Sequence, residues 1–412
     1  MNRKLAEGEA FFENQQFEKA RECFWEVLHH DPDSVQAYNN LGVLAFHQKR
    51  YRDADRLFSR ALEIDPGFDE ASQNLGALSD ACGPSSFTRF APPRLAGLNI
   101  AIVNTFNNRF TTLWTDYFGL TNRVRVVKPN GYEDLLDLGA WADIVWSAWC
   151  NEPVIFLSLN KKAPLLISHI RSYEILTPEF TTKINWANID QAIFVADHIR
   201  QVALETIAPP FQSVPSLVVP NCIDLDNYPF YEKAPGFNVA YVGYVNHKKG
   251  ISLLLQCIAA AVAHDHRYRF HLAGDFQEKR FEVYVKHLIT EMGLREHVVP
   301  HGWVDDIPAF LADMDYVIST SPWEGCPNNV IEAMACGVKP LVHNWRGARD
   351  LFGDDLVFNT VDEFMTLLTS PSYDSQSLRA QVSQKYNAAT CLAQLESVIL
   401  KAWERKKTGV GV

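Results

Sequence analysis

The 412-residue sequence lacks any long apolar run. No stretch approaches the roughly 18 to 20 apolar residues that a membrane-spanning helix requires. The residues that follow Met1 also lack the apolar centre of a signal peptide. We therefore expect a cytoplasmic protein with no transmembrane segment.

Cysteines are few and scattered. There are eight, at positions 23, 82, 150, 222, 257, 326, 336 and 391, and no two are spaced as a C-x2-C pair. This spacing argues against a zinc site and against a disulfide framework. We expect no bound metal and interpret most of the thiols as small buried groups.

Basic residues are in deficit, since the formal net charge is -11. Residues 1–80 hold nine Lys and Arg against fifteen Asp and Glu. Such a balance argues against a nucleic-acid partner, which would need a basic groove. With 47% hydrophobic residues the chain has enough apolar material for the cores of two or three domains.

Residues 1–82 repeat with a period of 34. The recurring pairs are Gly8 and Gly42, Ala20 and Ala54, Phe24 and Phe58, and Pro32 and Pro66. These positions resemble tetratricopeptide repeats and predict an all-α module of two helix pairs and a third helix near 70–81. The module either offers a groove to a protein or peptide, as partner or acceptor, or docks on the rest of the chain.

The period changes beyond a Pro-, Gly- and Ser-rich linker at 83–97. Short apolar segments then alternate with helical stretches, which predicts two Rossmann-like α/β domains at 98–220 and 238–388. The predicted strands are 98–103, 123–127, 143–147, 164–168, 192–195 and 216–219, then 238–243, 269–273, 297–301, 316–319, 339–343 and 356–358. No G-x-G-x-x-G follows the first strand, so we expect no dinucleotide cofactor.

The stretch 321–338 predicts a loop that leads into a helix, with Asn328 or Asn329 as its cap. A helix that begins just after a strand presents unpaired N–H groups and the positive end of its dipole to an anion. Glu324 lies on the loop and Glu332 on the second turn of the helix. The spacing therefore places two carboxylates beside a potential anion site.

Glu-x7-Glu followed by Ala-Met-Ala-Cys-Gly resembles the donor-site signature of the retaining GT-B glycosyltransferases, most closely family 4. The resemblance implies two Rossmann-like domains that face each other across a cleft, joined by a hinge at 221–237, with a last helix at 389–412 that crosses back to the first domain. It also implies metal-independent transfer of a hexose from a nucleotide diphosphate sugar, most often a UDP-sugar, with no cofactor.

The same resemblance assigns roles to the loop and helix. Glu324 would hold hydroxyls of the donor sugar, and its action as a covalent nucleophile is a less favoured alternative. Glu332 would accept hydrogen bonds from the ribose. The start of the helix would stabilise the leaving diphosphate through Gly325, Cys326, Pro327, Asn328, Asn329 and Val330.

A second donor loop is expected at 240–250. The family pattern there has Gly-Arg followed by Lys-Gly, and Gly243 and Lys249 match the glycine and the lysine that would bind the diphosphate. Tyr244 stands in the place of the arginine. Either Lys248 restores the missing charge or the phosphates depend more on the helix after Asn328.

Two further strand ends resemble family positions. Gly302 and Val304 would approach the nucleotide base, whereas the aspartates that follow, 305 and 306, are expected to cap a helix. In the first domain His169 or Arg171 would lie near the donor sugar or the acceptor, and the spacing does not decide between them.

Two tryptophans precede those residues. Because Trp146 falls inside a predicted strand, we interpret it as a core residue. Trp149 comes after that strand and is the better candidate for an acceptor contact.

Two other functions fit these motifs. One is a GT-B nucleotide-sugar epimerase, which converts its substrate without an acceptor. The other is a non-catalytic, repeat-based partner-binding protein in which Tyr244 marks a decayed donor site. The acceptor of a transferase also stays open, since a protein or peptide and a glycan, free or lipid-linked, all fit the sequence.

Overall fold

A computed structural model describes residues 2–82, 93–106, 111–207 and 209–408. These residues fall into two compact units, one up to Pro220 together with Ala389–Val412, the other Asn221–Ala388. The segment predicted as a hinge, 221–237, therefore belongs to the second unit. Of the predicted linker, residues 83–92 lie outside the described residues.

The first unit begins with helices in antiparallel pairs. They are α1 (Asn2–Glu13), α2 (Phe17–His30), α3 (Val35–His47), α4 (Tyr51–Ile64) and α5 (Asp69–Cys82). The repeated glycines allow each pair to pack closely, because a Cβ on Gly8 would lie 2.5 Å from the Phe24 ring and one on Gly42 would lie 2.5 Å from the Phe58 ring. The predicted all-α repeat module is confirmed.

Helix α2 docks this module onto the adjoining α/β domain. Trp25 Nε1 donates a hydrogen bond of 3.2 Å to the carbonyl of Leu120, and His29 Nδ1 lies 2.6 Å from the carbonyl of Gly97. Ala96 and Leu120 are buried in the same apolar core as the repeats. The repeats are thus continuous with the core of the first unit, which was one of the two alternatives left by the sequence.

The first unit contains a parallel sheet of order β2-β1-β3-β4-β5-β6 among its described residues. Its strands are β1 (Asn99–Val103), β2 (Arg123–Val127), β3 (Ile144–Ser147), β4 (Leu165–Ile170), β5 (Gln191–Phe194) and β6 (Ser216–Val218). The associated helices are α6 (Thr112–Phe118), α7 (Tyr132–Trp141), α8 (Glu152–Leu159), α9 (Pro178–Thr181) and α10 (Asp197–Thr206). The chain passes from β1 to β2 on one side and returns to β3 on the other, so the topological switch point lies between β1 and β3.

The second unit contains a parallel sheet of order β12-β11-β10-β7-β8-β9. Its strands are β7 (Asn238–Val242), β8 (Arg269–Ala273), β9 (Val298–Gly302), β10 (Tyr316–Ser319), β11 (Lys339–His343) and β12 (Val357–Phe358). The helices are α11 (Ile251–His264), α12 (Lys279–Glu291), α13 (Ile307–Leu311), α14 (Asn328–Ala335), α15 (Ala348–Phe352), α16 (Val361–Thr369) and α17 (Ser375–Lys385). Its switch point lies between β7 and β10.

All twelve predicted strands are present, each within two residues of its predicted bounds. The inner strands β1, β3, β4, β5, β7 and β10 are almost entirely buried, which is typical of parallel sheets covered on both faces. The predicted α/β class with an N-terminal helical module is confirmed.

The last helix, α18 (Ala388–Thr408), contacts the first unit through a buried carboxylate. Glu396 accepts a hydrogen bond of 2.8 Å from the backbone N–H of Leu95 and one of 3.2 Å from the Tyr117 hydroxyl. Burial raises the pKa of Glu396 above its ordinary value. Across the described ranges, every helix is too short or too polar to cross a bilayer.

Candidate functional site

The switch point of the second sheet brings together two residues singled out in the sequence. Lys249 lies on the loop after β7 and Glu324 on the loop after β10, and Lys249 Nζ is 2.5 Å from Glu324 Oε1. The Ser321 hydroxyl donates a hydrogen bond of 2.7 Å to the same carboxylate oxygen. Because the side chains are only 29% and 15% exposed, this ion pair is largely shielded from water but remains accessible to a ligand.

Backbone contacts fix these two loops against each other. Gly250 has φ 65°, and a Cβ there would lie 2.0 Å from the carbonyl oxygen of Thr320. The Thr320 hydroxyl donates a hydrogen bond of 2.9 Å to the carbonyl of Lys249. Only glycine permits this approach, so the Lys-Gly pair holds the lysine at the edge of the sheet.

Helix α14 begins at Asn328, as expected, but neither predicted cap is correct. The cap position is Pro327, which makes no side-chain cap bond. Asn329 Nδ2 instead donates to the carbonyl of Val242 at 2.8 Å, and Asn328 Oδ1 accepts from Asn221 Nδ2 at 2.9 Å. The two amides are used to attach the helix start to neighbouring segments.

The remaining residues assigned to the helix start lie around it in the interior. Gly325, Cys326, Pro327 and Val330 are buried. Cys326 accepts a hydrogen bond of 3.3 Å at its carbonyl from Asn221. Their predicted role toward a diphosphate stays a prediction.

Glu332 is placed differently from Glu324. Its side chain is 1% exposed, and the Tyr228 hydroxyl donates a hydrogen bond of 3.1 Å to its Oε1. A buried carboxylate needs such donors, and Tyr228 was not recognised in the sequence because it lies 104 positions away. The predicted contact of Glu332 with a ribose stays a prediction.

Tyr244 forms an exposed aromatic pair with Trp303, a residue that the sequence analysis missed. The rings are 5.2 Å apart with an angle of 36° between their planes, and the residues are 41% and 49% exposed. Lys248 is exposed on a turn of the same loop as Tyr244. In the sequence, the only indication that Trp303 belongs to the site was its position between Gly302 and Val304.

Three glycines shape the loops at this edge. Gly243, Gly274 and Gly302 have φ of 141°, 153° and 66°. A Cβ on Gly274 would lie 1.9 Å from the carbonyl oxygen of Gly243, so the loops after β7 and β8 touch through their backbones. The predicted cap of α13 is confirmed for Asp306, which accepts from the backbone N–H of Ala309 at 3.0 Å. It is wrong for Asp305, which accepts from Trp303 Nε1 at 2.9 Å.

In the first unit, His169 lies at the end of β4 in a stack of aromatic rings. Its imidazole is 4.9 Å from the Trp114 ring at an angle of 16°, and the Trp146 ring lies 4.4 Å from Trp114 and 6.2 Å from His169. His169 is 2% exposed, and neither of its ring nitrogens has a hydrogen-bond partner among the described residues. Burial, with the nearby Arg171 charge, holds the pKa of His169 well below its usual range, so the ring is neutral at pH 7.

Arg171 is buried in the same cluster. Its Nε donates to the carbonyl of Ala148 at 3.2 Å, and its guanidinium lies 4.7 Å from the Trp149 ring centre and 5.4 Å from that of Trp114. Guanidinium groups stack favourably on indole faces. The structure therefore brings His169, Arg171 and Trp149 into one neighbourhood of the first unit.

Glu174 holds this neighbourhood in place, although nothing in the sequence distinguished it. Its buried carboxylate accepts backbone N–H bonds from Ser172 at 2.8 Å and from Arg171 and Cys150 at 3.4 Å. Burial raises the pKa of Glu174. The carboxylate thus joins the loops after β3 and β4.

The switch point of the first sheet is bridged by neutral hydrogen bonds. Trp149 Nε1 donates to Asn104 Oδ1 at 3.1 Å, and Asn151 Nδ2 donates to Thr105 Oγ1 at 2.9 Å.

Trp146, in contrast, is fully buried, which confirms its interpretation as a core residue. In the part of the chain that the structure describes, no three His, Cys, Asp or Glu side chains form a cluster able to hold a metal ion.

Comparison with protein families and solved structures agrees with this architecture. Residues 236–384 match the family Glycosyl transferases group 1, and residues 5–67 match Tetratricopeptide repeat. A glycosyltransferase from Rickettsia africae superposes with a TM-score of 0.59 at 15% identity, over 76% of this chain and 99% of the other. Anabaena HepE, solved in complex with UDP-glucose, gives a TM-score of 0.59 at 16% identity, over 74% and 100%. The chain therefore combines tetratricopeptide repeats with a group 1 glycosyl transferase domain and has the predicted GT-B fold.

Curated relatives match over shorter lengths. An uncharacterized 41.2 kDa protein of the cps region of Klebsiella pneumoniae is 31% identical over 121 residues, which is 29% of this chain and 31% of the relative. The Escherichia coli UDP-Gal:alpha-D-GlcNAc-diphosphoundecaprenol alpha-1,3-galactosyltransferase is 30% identical over 90 residues, 21% of this chain and 23% of the relative. The chain thus spans less than a third of the length of either relative.

Proposed function

We propose that this chain, built around a group 1 glycosyl transferase domain, is a cytoplasmic glycosyltransferase that moves a hexose from a UDP-sugar to an acceptor hydroxyl with retention at the anomeric carbon. The UDP-sugar is favoured because HepE was solved with UDP-glucose and the Escherichia coli relative is named for UDP-Gal. No cofactor beyond the donor is part of the proposal.

The observation that supports the proposal best is the Lys249–Glu324 pair at the switch point of the second sheet. Open α/β sheets bind ligands at the carboxyl ends of the strands where the strand order reverses. Here that position holds a cation, a carboxylate and the start of α14, whose cap position makes no side-chain bond. A cation and a helix N-terminus suit a diphosphate, whereas a carboxylate suits sugar hydroxyls.

These groups define a chemical step. The bond between the anomeric carbon and the diphosphate oxygen breaks, and the electron pair leaves with the UDP. Lys249 and the N–H groups of α14 stabilise the negative charge that grows on the leaving phosphate. The acceptor oxygen attacks from the same face, its proton passes to the leaving phosphate oxygen, and Glu324 holds the donor hydroxyls throughout.

Donor binding can be tested by thermal shift. A ligand that binds only the folded protein raises the melting temperature by mass action. We expect UDP-glucose, UDP-galactose or a UDP-N-acetylhexosamine to raise it, and ADP- and GDP-sugars to do so less. Absence of any shift with the UDP-sugars would contradict the proposal.

Turnover separates this function from its rivals. A transferase releases UDP from the bound donor, slowly to water and faster with an acceptor, and it leaves the sugar configuration at C4 and C2 unchanged. An epimerase would interconvert UDP-sugars. Donor binding without either reaction would favour the non-catalytic alternative, in which Tyr244, in place of an arginine, marks a decayed donor site.

A further inference from the structure

We propose that His271 is a positioning residue for the donor site: it accepts a hydrogen bond from His301 that holds the loop after β9 in place, and it releases that loop when it is protonated. His271 Nδ1 lies 3.0 Å from His301 Nε2. The two residues lie on the adjacent strands β8 and β9 of the second unit. The inference rests on the proposed function, because the loop that is held, with Gly302 and Val304, is the one expected to approach the donor nucleotide.

An irregularity in the sheet places His301 against its partner. Two successive residues of β8 pair with residues of β9 that are two positions apart, so His301 is an extra residue of β9. The pairs are Leu272 with Pro300 and Ala273 with Gly302. A β-bulge of this kind re-aims a side chain, and bulges are common next to functional sites. The re-aimed imidazole also contacts Phe310 of α13, with 5.1 Å between the ring centres.

The neighbours of His271 determine which of its nitrogens carries the proton. Asn238 Nδ2 donates a hydrogen bond of 3.2 Å to the carbonyl of Asp313, so Asn238 Oδ1 is the atom that faces His271 Nε2, at 3.4 Å. Because an amide oxygen only accepts, the proton of His271 lies on Nε2. His271 Nδ1 is left with a lone pair that accepts from His301 Nε2–H. The chain of three hydrogen bonds therefore runs in one direction, from His301 to the carbonyl of Asp313.

Protonation of His271 breaks this chain at its centre. An imidazolium donates from both nitrogens, so Nδ1 no longer accepts from His301. Burial, and then the positive charges of protonated His301 and of Arg269, hold the pKa of His271 below its ordinary value. The carboxylates of Asp313 and Asp315 act in the opposite direction. The ring is neutral at pH 7, and the chain opens only on acidification below the ordinary histidine pKa of about 6.5.

The hydrogen bond matters to the donor site because His301 directly precedes the loop after β9. The next residue, Gly302, has φ 66°, and its carbonyl accepts a hydrogen bond of 2.7 Å from the backbone N–H of Gly274. Gly274 in turn lies against the carbonyl oxygen of Gly243, where a Cβ would come within 1.9 Å. A shift of β9 at His301 is therefore transmitted through backbone contacts to the loops after β8 and β7.

Calorimetric titration of the full chain tests this role at pH 7.5 and at pH 5.5. The probes are UDP-glucose, UDP-galactose and UDP-N-acetylglucosamine, whose diphosphate keeps the same charge at both pH values. We expect the Kd of the wild type to rise severalfold at pH 5.5. His271→Ala should raise the Kd about two- to tenfold at pH 7.5, as the loss of one hydrogen bond does, and should show little further rise at pH 5.5.

A conservative variant separates positioning from a merely structural role. In His271→Asn the Oδ1 takes the place of Nδ1 and accepts from His301, but it does not titrate in this range. This variant should bind as tightly as the wild type at pH 7.5 and keep that affinity at pH 5.5. The matched control is His266→Asn, which replaces an exposed imidazole just before β8, at the opposite edge of the sheet. It should keep the pH dependence of the wild type.

The outcomes separate this inference from the proposed function. If His271→Ala proves unfolded by circular dichroism, His301→Ala replaces it, because it removes the donor of the same hydrogen bond from an exposed side chain. An unchanged Kd in the folded variant at pH 7.5, or the same pH dependence in His271→Asn as in the wild type, would overturn the positioning role and leave the donor site intact. Absence of binding by the wild type to all three UDP-sugars at pH 7.5 would refute the proposed function and this role with it.

Discussion

Replacement of Lys249 by alanine should slow sugar transfer far more than it weakens the fold. In the proposed reaction Lys249 acts on charge that develops on the leaving phosphate. Loss of one such donor typically costs about 10² to 10³ in kcat, or about 2.7 to 4 kcal/mol of transition-state stabilisation. We expect Lys249→Ala to fall in this range for UDP release in the presence of acceptor.

The cost to stability is smaller and can be measured separately. Lys249→Ala removes a charge-assisted hydrogen bond to Glu324, but the Ser321 hydroxyl still donates to that carboxylate. The Glu324 side chain is 15% exposed, so water reaches it in part. Loss of a bond to a charged group costs about 1 to 3 kcal/mol, and the melting temperature should fall by only a few degrees.

Two neighbours serve as comparisons for Lys249→Ala. Lys248→Ala should lose less activity, because that side chain is exposed on the turn whereas Lys249 is paired at the switch point. Lys279→Ala removes an 82% exposed lysine of α12 and should behave as the wild type. A kcat for Lys249→Ala within threefold of the wild type, or an equal fall in both neighbours, would refute the assignment.

Three further outcomes follow from the fold. Gly274→Ala should abolish the UDP-sugar thermal shift, because its Cβ would collide with Gly243; Gly293→Ala, strained at φ 67° but with open space, should keep it. As the pH falls from 7.5 to 5.5, the free energy of unfolding of the wild type should decrease relative to that of His169→Phe, by up to ~1.4 kcal/mol per pH unit below about pH 6.5. The reason is that a histidine in the unfolded chain takes up a proton whereas the buried ring stays neutral. A difference in urea midpoint between the two proteins that is the same at both pH values would contradict this. Trp25→Ala should cost about 3 to 5 kcal/mol and speed proteolysis of the first unit, since the ring is 9% exposed and bonded to Leu120; unchanged proteolysis would show that the docking is not needed for stability.

The regular parts of the fold could be predicted because they depend on local patterns. The alternation of short apolar segments with helical stretches predicted all twelve strands. The spacing of Gly8, Phe24, Gly42 and Phe58 predicted the repeat module. These residues act on neighbours a fixed distance along the chain, as the close approach of Gly8 to Phe24 and of Gly42 to Phe58 shows. A fixed period in the sequence therefore predicts packing contacts that recur at the same spacing.

The rest depends on partners that are distant in sequence. The cap at α14 was wrong because Asn329 bonds to Val242, 87 positions away, in preference to its own helix. Glu174 was missed because its donors come from two separate loops. No local pattern distinguishes such a carboxylate from a solvated one.

The two switch points differ in charge. In the second sheet the loops are joined by the Lys249–Glu324 ion pair beside a helix start, and such a site gains most from an anionic ligand. In the first sheet the loops are joined by neutral bonds, Trp149 to Asn104 and Asn151 to Thr105, next to a cavity without cations among its described lining. A nucleotide diphosphate sugar suits the first arrangement, so the charges at the second switch point support the proposed donor site.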